Sequence, residues 1–262
     1  MLGTRHDDPV HAHLTEAHIR VLVIIPALNE ASTIASVLTT LAGSSPDYDV
    51  AVVDDGSTDD TAAIARAHGA TVLSLPFNLG IGGALRAGFR YAVAQGYDAA
   101  VQLDADGQHD PELIPVLLEQ LTAANMAIGS RFADGGADYQ VGRTRRIAMR
   151  SLELTVRLLT GRRYTDTSSG FRAFDRSVLE YFAQTYPAEY MESVEALVNA
   201  SYEGFRIVEV PIDMRERAGG TPSTMHVGLA YHYVRVISTL LARVRSRSRV
   251  AAPVAPVTGG RR

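Results

Sequence analysis

The chain contains no cysteine. That excludes disulfides, thiolate metal sites and a cysteine nucleophile, and it fits a reducing compartment. Long apolar runs are also missing: no stretch approaches the roughly 18 consecutive apolar residues of a membrane-spanning helix, which leaves a chain in solution or on a membrane surface. Met1 to His18 is polar and does not read as a signal peptide. Positive charge is not in excess. With 25 Lys and Arg against 29 Asp and Glu the formal net charge is -4, so no basic field points to nucleic acid as a partner. No internal repeat is present. What remains is an ordinary globular composition, 46% hydrophobic and 21% charged, in a chain long enough to bury a sizeable core.

The two ends read as disordered tails around one domain. His6, His11, His13 and His18 suggest a metal tract, but no partner is spaced to complete a site, so residues 1–19 read as a polar tail. Residues 246–262 are rich in Arg, Pro, Ala and Gly and read the same way. Between them, residues 20–245 read as a single domain.

In that domain, short apolar runs alternate with helical patterns. Val21 to Ile25 stops at Pro26 and reads as a buried parallel strand, as do Val50–Val53, Thr71–Leu75, Ala99–Leu103 and Met126–Gly129. Between them, helices are expected from Asn29–Ser32 through about Leu41, after the Thr58-Asp59-Asp60 cap to near Gly69, over Ile81–Ala94 and over Pro111–Leu121. The alternation predicts an α/β fold: a mostly parallel sheet with helices on both faces. Such sheets bind ligands beyond the carboxyl ends of their strands. Asn29-Glu30, Asp54-Asp55 and Asp104-Ala105-Asp106 all fall at strand ends, so three polar clusters converge on one sheet edge.

The second half is less regular. Ala133 to Gly142 reads as a mobile loop and Thr144–Thr160 as a long Arg-bearing helix. Thr165 to Ser169 is a polar turn leading into Gly170-Phe171-Arg172-Ala173-Phe174. Glu192–Tyr202 is helical, Ile207–Ile212 is a strand, Arg215–Thr224 is a basic Gly-rich loop and His226–Arg243 is an apolar-biased helix.

Several residues suit particular chemistry. Asp104 and Asp106, one residue apart after a strand, can share a hard cation, and Gln108 adds an amide oxygen. Asp54 and Asp55 suit a base and ribose. Gly80-Ile81-Gly82-Gly83-Ala84-Leu85 resembles a dinucleotide fingerprint, but Leu85 stands where Gly or Ala is needed and the run follows the third strand, so hydride transfer is a poor reading; close approach of backbone to a ligand remains open. Arg131, Arg145, Arg146 and Arg217 offer guanidinium forks for phosphate. Glu192 and Glu195 could include a base, although an exposed helix face is the better reading.

Taken in order, Pro26-Ala27-Leu28-Asn29-Glu30, Val53-Asp54-Asp55-Gly56-Ser57, Asp104-Ala105-Asp106-Gly107-Gln108-His109, Gly129-Ser130-Arg131, Ser169-Gly170-Phe171-Arg172 and Arg217-Ala218-Gly219-Gly220 resemble the family 2 glycosyltransferases. The similarity is to the dolichol-phosphate mannosyltransferase-like branch, which makes polyprenyl-phosphate sugars, and spans about Arg20 to Arg243. It implies a glycosyltransferase A-type fold. Pro26, Leu28, Asn29, Glu30, Asp54 and Asp55 would surround the nucleotide. Asp104, Asp106 and Gln108 would bind Mg²⁺ or Mn²⁺ and the diphosphate. Arg131 and Arg145 would meet phosphate, and Arg217 would close the site.

The implied reaction is inverting transfer from a GDP- or UDP-linked nucleotide-sugar donor to a polyprenyl phosphate acceptor. The other readings are a soluble acceptor and a non-catalytic nucleotide-sugar-binding protein. Two features depart from relatives: Gly220-Thr221-Pro222-Ser223-Thr224 lacks the Lys often found after the last Arg, and the added membrane helices of many relatives are missing. Leu229, Val236, Leu240 and Val244 lie at near-helical spacing, and Arg235, Arg243, Arg245, Arg247 and Arg249 follow towards the end. Such a helix suits a peripheral place on the cytoplasmic face of a membrane.

Overall fold

The computed structural model describes residues 19–44, 48–133, 143–188, 192–214 and 238, the stretch 143–150 in its backbone alone. The expected tails, the Ala133–Gly142 loop beyond its first residue, the Arg217 loop and the His226–Arg243 helix, apart from the single position 238, lie outside the described residues.

The first half alternates as its sequence predicts. β1 (Val21–Ala27), α1 (Ile34–Ser44), β2 (Asp49–Asp54), α2 (Thr61–Ala67), β3 (Thr71–Ser74), α3 (Ile81–Ala94) and β4 (Ala99–Gln102) are followed by α4 (Ile114–Glu119), which has a 3₁₀ turn at each end, and by β5 (Met126–Ser130). Then come α5 (Arg143–Thr160), β6 (Arg172–Asp175), α6 (Arg176–Thr185), α7 (Glu192–Tyr202) and β7 (Ile207–Pro211). The strands form one seven-stranded sheet in the order β3-β2-β1-β4-β6-β5-β7. Every pairing is parallel except those of β6, which runs antiparallel between β4 and β5.

β1 is a continuous apolar run because both sheet faces are covered. Leu22 and Ile24 join a core with Phe89 of α3, Phe182 of α6 and Leu197 of α7. Val21, Val23 and Ile25 join a second core with Leu38 and Leu41 of α1 and Leu117 of α4. Side chains alternate across a strand, so one run feeds two cores. The first core centres on a cluster of rings that meet edge-on or tilted: Phe89 lies 5.2 Å from Phe174, 5.7 Å from Phe182 and 5.0 Å from Tyr186.

β6 and α6 have weak signals in the sequence. β6 is four residues long and opens on a charged residue, Arg172, that is wholly buried. The guanidinium is accommodated because it donates to three backbone carbonyls, those of Ser169 (2.8 Å), Ser193 (2.9 Å) and Thr167 (3.0 Å). A buried cation survives only when its donors are satisfied. α6 begins directly after β6, with Asp175 capping it by accepting from the Val178 N–H at 2.9 Å.

Candidate active site

Parallel pairing of β2 with β1 and of β1 with β4 brings three polar strand ends to one edge. Asn29 and Glu30 leave β1, Asp54 and Asp55 leave β2, and Asp104 and Asp106 leave β4. The first two clusters are stitched together. Asn29, in the left-handed region at φ 55°, donates its N–H to Ser57 Oγ at 2.9 Å and accepts the Thr58 N–H on Oδ1 at 2.8 Å. The Glu30 N–H donates to Thr61 Oγ1 at 2.8 Å, and Glu30 Oε2 accepts from Thr33 at 2.7 Å. Asp54 Oδ1 accepts from the Ser57 N–H at 3.0 Å.

Asp55 extends this stitching to the segment before α3: its Oδ1 accepts the Leu79 N–H at 2.7 Å. Burial pushes the Asp55 carboxyl up, against the pull of these backbone donors. Gly56 allows the approach. At φ 78° it occupies the left-handed region, and a Cβ there would stand 3.0 Å from the Asn78 nitrogen. The four acidic and amide side chains therefore build a rigid rim, and Leu28 stands exposed on it. Pro26, inside β1, lies opposite Val53 and beyond the last β1–β4 pair, Ile24 with Gln102.

The third cluster is a tight turn. Gly107 takes φ 75°, and Asp106 Oδ1 accepts the Gln108 N–H at 3.0 Å. His109 is buried against Phe171, with ring centres 5.1 Å apart and planes 14° apart, and its Nδ1 accepts the Asp104 N–H at 3.2 Å. The other ring nitrogen is 3.8 Å from Asp104 Oδ2. Asp104 Oδ1 is buried and has no hydrogen-bond partner. A carboxylate oxygen left in this way is expensive unless something else meets it.

Gly170 leaves room for that carboxylate: a Cβ there would fall 2.6 Å and 2.7 Å from the two Asp104 oxygens. Among the described residues no group of three or more His, Cys, Asp or Glu could hold a metal. A cation would rest on Asp104, Asp106 and the Gln108 amide and take its remaining ligands from phosphate and water, which is how Mg²⁺ is commonly held beside a phosphorylated substrate. The donor set fits a hard divalent ion.

Arg131 follows β5 and is held by a fork to Asp166, with Nε to Oδ2 at 2.6 Å and Nη2 to Oδ1 at 2.8 Å. Burial acts to raise the Asp166 carboxyl, but Arg131 outweighs it and holds that carboxyl below the usual range. Asp166 is itself placed by β7, because Glu209 accepts the N–H groups of Thr165 and Asp166, each at 2.8 Å. The polar turn read from Thr165 to Ser169 is thus cross-braced, with Asp166, Thr167 and Ser169 buried. Its sequence resembles any surface loop, so nothing local flags Asp166.

One expectation changes. Glu192, read as part of an exposed helix face, is buried at 6% exposure, and burial raises its carboxyl. It opens α7 next to the Arg172 guanidinium that the same turn anchors, which the helical period alone does not reveal. The glycine run at the start of α3 makes room for the chain itself: a Cβ on Gly82 would fall 2.1 Å from the Pro187 carbonyl oxygen. Arg145 and Arg146 lie on the first turns of α5, described in backbone only, and Arg217 lies outside the described residues.

Residues 22–182 match the model of a family described as glycosyl transferase family 2. The chain is 37% identical over 216 residues to the undecaprenyl-phosphate mannosyltransferase of Micrococcus luteus, covering 77% of this chain and 86% of that protein. It is 34% identical over 226 residues to the polyprenol monophosphomannose synthase of Mycolicibacterium smegmatis, covering 82% and 83%. Among solved structures it superposes, at TM-score 0.68 and 26% identity, on glucosyl-3-phosphoglycerate synthase from Mycobacterium tuberculosis in complex with Mn²⁺, UDP-glucose and phosphoglyceric acid, covering 89% of this chain and 82% of that one.

Proposed function

This chain belongs to glycosyl transferase family 2, with the glycosyltransferase A-type fold, and we propose that it is an inverting hexosyltransferase that moves a sugar from a GDP- or UDP-linked donor to a polyprenyl phosphate. The observation that carries the reading is the Asp104 carboxylate, with one oxygen orphaned, beside Asp106 on an edge where two further polar strand ends converge. The names of the Micrococcus and Mycolicibacterium relatives support the acceptor and the hexose class. The Mn²⁺ and UDP-glucose bound by the structural neighbour support a metal and a nucleotide sugar.

Asp104, Asp106 and Gln108 would hold Mg²⁺ or Mn²⁺, which offsets charge on the departing nucleoside diphosphate when bound. The chain's own residues do the rest. The rim of Pro26, Leu28, Asn29, Glu30, Asp54 and Asp55 receives the nucleoside. Arg131, oriented by Asp166, and Arg145 would meet phosphate, and Arg217 would close the site over the loaded donor. A phosphate acceptor arrives already anionic and needs no strong base, so inversion by direct in-line attack suffices.

A lipid acceptor places the enzyme at a membrane surface, on its cytoplasmic face. Among the described residues no helix is long and apolar enough to cross a membrane. Purified protein with Mn²⁺, GDP-mannose or UDP-glucose, and a polyprenyl phosphate in vesicles tests the reading by mass spectrometry. A sugar-phosphate lipid is the expected product. Transfer only to a soluble acceptor, or nucleotide-sugar binding without turnover, refutes it.

A further inference from the structure

Asp104 follows β4 and Arg131 follows β5, and those strands are not neighbours: β6 runs between them. The turn that leads into β6, Thr165 to Gly170, borders both residues. Near its start Asp166 grips the Arg131 guanidinium by a fork, and Ser168 Oγ adds a contact to Arg131 Nη2 at 3.2 Å. At its end Gly170 lies against the Asp104 carboxylate and leaves no room for a Cβ. The placement of this turn therefore sets how the two charged groups stand to one another.

Charge clamps the turn from both sides. The buried Arg172 guanidinium takes the carbonyls of Thr167 and Ser169. Glu209, on the edge strand β7, takes the donors at the other end. The Thr165 N–H is shared by both Glu209 oxygens at 2.8 Å, the Asp166 N–H goes to Oε1 at 2.8 Å, and the Thr165 hydroxyl goes to Oε2 at 3.1 Å. That hydroxyl lies 2.7 Å from Ser130 Oγ, which accepts the Phe132 N–H at 3.1 Å. With Thr165 donating to the carboxylate, Ser130 donates to Thr165, and one relay runs from the Phe132 N–H to Glu209. Arg131 is thus held by its side chain through Asp166 and by its backbone neighbours Ser130 and Phe132, and both routes end on Glu209. A charge on an edge strand ordinarily faces water and guards the edge. Here both oxygens are turned onto the chain, in charge-assisted bonds roughly twice as strong as neutral ones.

We propose that Glu209 is a positioning residue for transfer, acting through the Thr165 and Asp166 amides and the hydroxyl relay to fix the Arg131 guanidinium relative to Asp104. The assignment rests on the roles given to Arg131 and Asp104 above. Placed charges tolerate little displacement, since a shift of about 1 Å costs about 100-fold in rate.

Glu209→Ala and Glu209→Gln, each alone and combined with Asp166→Asn, test it in the full-length protein. The readouts are kcat and KM with Mn²⁺, GDP-mannose or UDP-glucose and a polyprenyl phosphate in vesicles, calorimetric affinity for GDP and UDP, and thermal melts, with rates taken well below every melting temperature. In Glu209→Ala, kcat should fall on the order of 10- to 100-fold. Donor KM and nucleoside diphosphate affinity should stay near wild type, so that kcat and kcat/KM fall together. Glu209→Gln still offers an oxygen to both N–H groups and should recover most of kcat. On top of Asp166→Asn, Glu209→Ala should cost much less than it does alone, because the link to Arg131 is already weakened. If Glu209→Ala does not fold, Glu209→Asp takes its place with the same expected loss, since it keeps the charge but draws the carboxylate back by one methylene. A lower melting temperature with wild-type kcat overturns the assignment and marks Glu209 as a brace for the fold alone. Full additivity with Asp166→Asn also overturns it, as does a Gln variant as slow as the Ala variant, which would make charge rather than placement the active element. A wild-type protein that transfers no sugar to any acceptor overturns the transferase reading itself and the assignment with it.

Discussion

Gly170→Ala puts the Asp104 geometry to a direct test. Gly170 is not in the left-handed region, so alanine meets no backbone penalty there. Its methyl carbon would nevertheless sit 2.6 Å and 2.7 Å from the two Asp104 oxygens. A comfortable carbon contact is near 3.5 Å, so the separation must grow by on the order of 1 Å. The Gly170 backbone has little freedom to move. The neighbouring Ser169 carbonyl is tied to Arg172 at 2.8 Å, and Phe171 is fully buried against His109. Asp104, with its side chain 30% exposed, is the group that yields. A displacement of that size at a reacting centre costs about 100-fold in rate, or about 2.7 kcal/mol of barrier. The assay is initial-rate transfer against Mn²⁺ concentration, with a thermal melt alongside. The expected outcome is a melt within a few degrees of wild type, a higher metal requirement and a rate about 100-fold lower. A variant with wild-type rate and wild-type metal dependence would show that the Asp104 position does not matter and would refute the argument.

Three further outcomes are expected. Asp106→Asn keeps an acceptor for the Gln108 N–H but loses the charge, so transfer should drop on the order of 100-fold while the fold melts normally; full activity, or indifference to a chelator, removes the metal role. Asp166→Asn should cost about 1–3 kcal/mol near neutral pH by breaking the Arg131 fork. Because the folded carboxyl is held below its usual value, that stabilisation is fully present above about pH 4 and disappears as pH falls through the lowered value; melts taken across that range should converge, and parallel curves would count against the pair. Gly82→Ala gains about 1 kcal/mol of helix propensity but drives a methyl to 2.1 Å from the Pro187 carbonyl, so a net loss of about 1–3 kcal/mol is expected; a raised melting temperature would refute the close crossing of the two chains.

Much of the first half was legible because its signals are local. A strand buried on both faces needs an unbroken apolar run, as in Val21 to Ile25, and a strand end needs polar residues, as at Asn29, Asp54 and Asp104. β1 to β5 accordingly fall within one or two residues of where the run of residues places them, and α3 runs from Ile81 to Ala94 as expected. Once those strands are parallel neighbours, their ends must share an edge, so the convergence of three clusters follows from pattern alone. The second half was less legible because its decisive contacts are distant in sequence. β6 is a strand only because β4 and β5 flank it, and a short segment opening on Arg has no strand period to read.

Residue identity and order by themselves determined the α/β class, the family, the converging edge and the carboxylate pair, since each depends on neighbours along the chain. Only the tertiary structure decided what individual side chains face. It turned Glu192 inward beside Arg172, committed Arg131 to Asp166, and set Gly82 of α3 against the Pro187 carbonyl. It also left Gln102 and Tyr186 with unpaired polar atoms near Asp104. Burial, pairing and orphaned hydrogen bonds are relations between segments far apart in the chain, and they come into being only when the sheet has formed and the helices have closed over it.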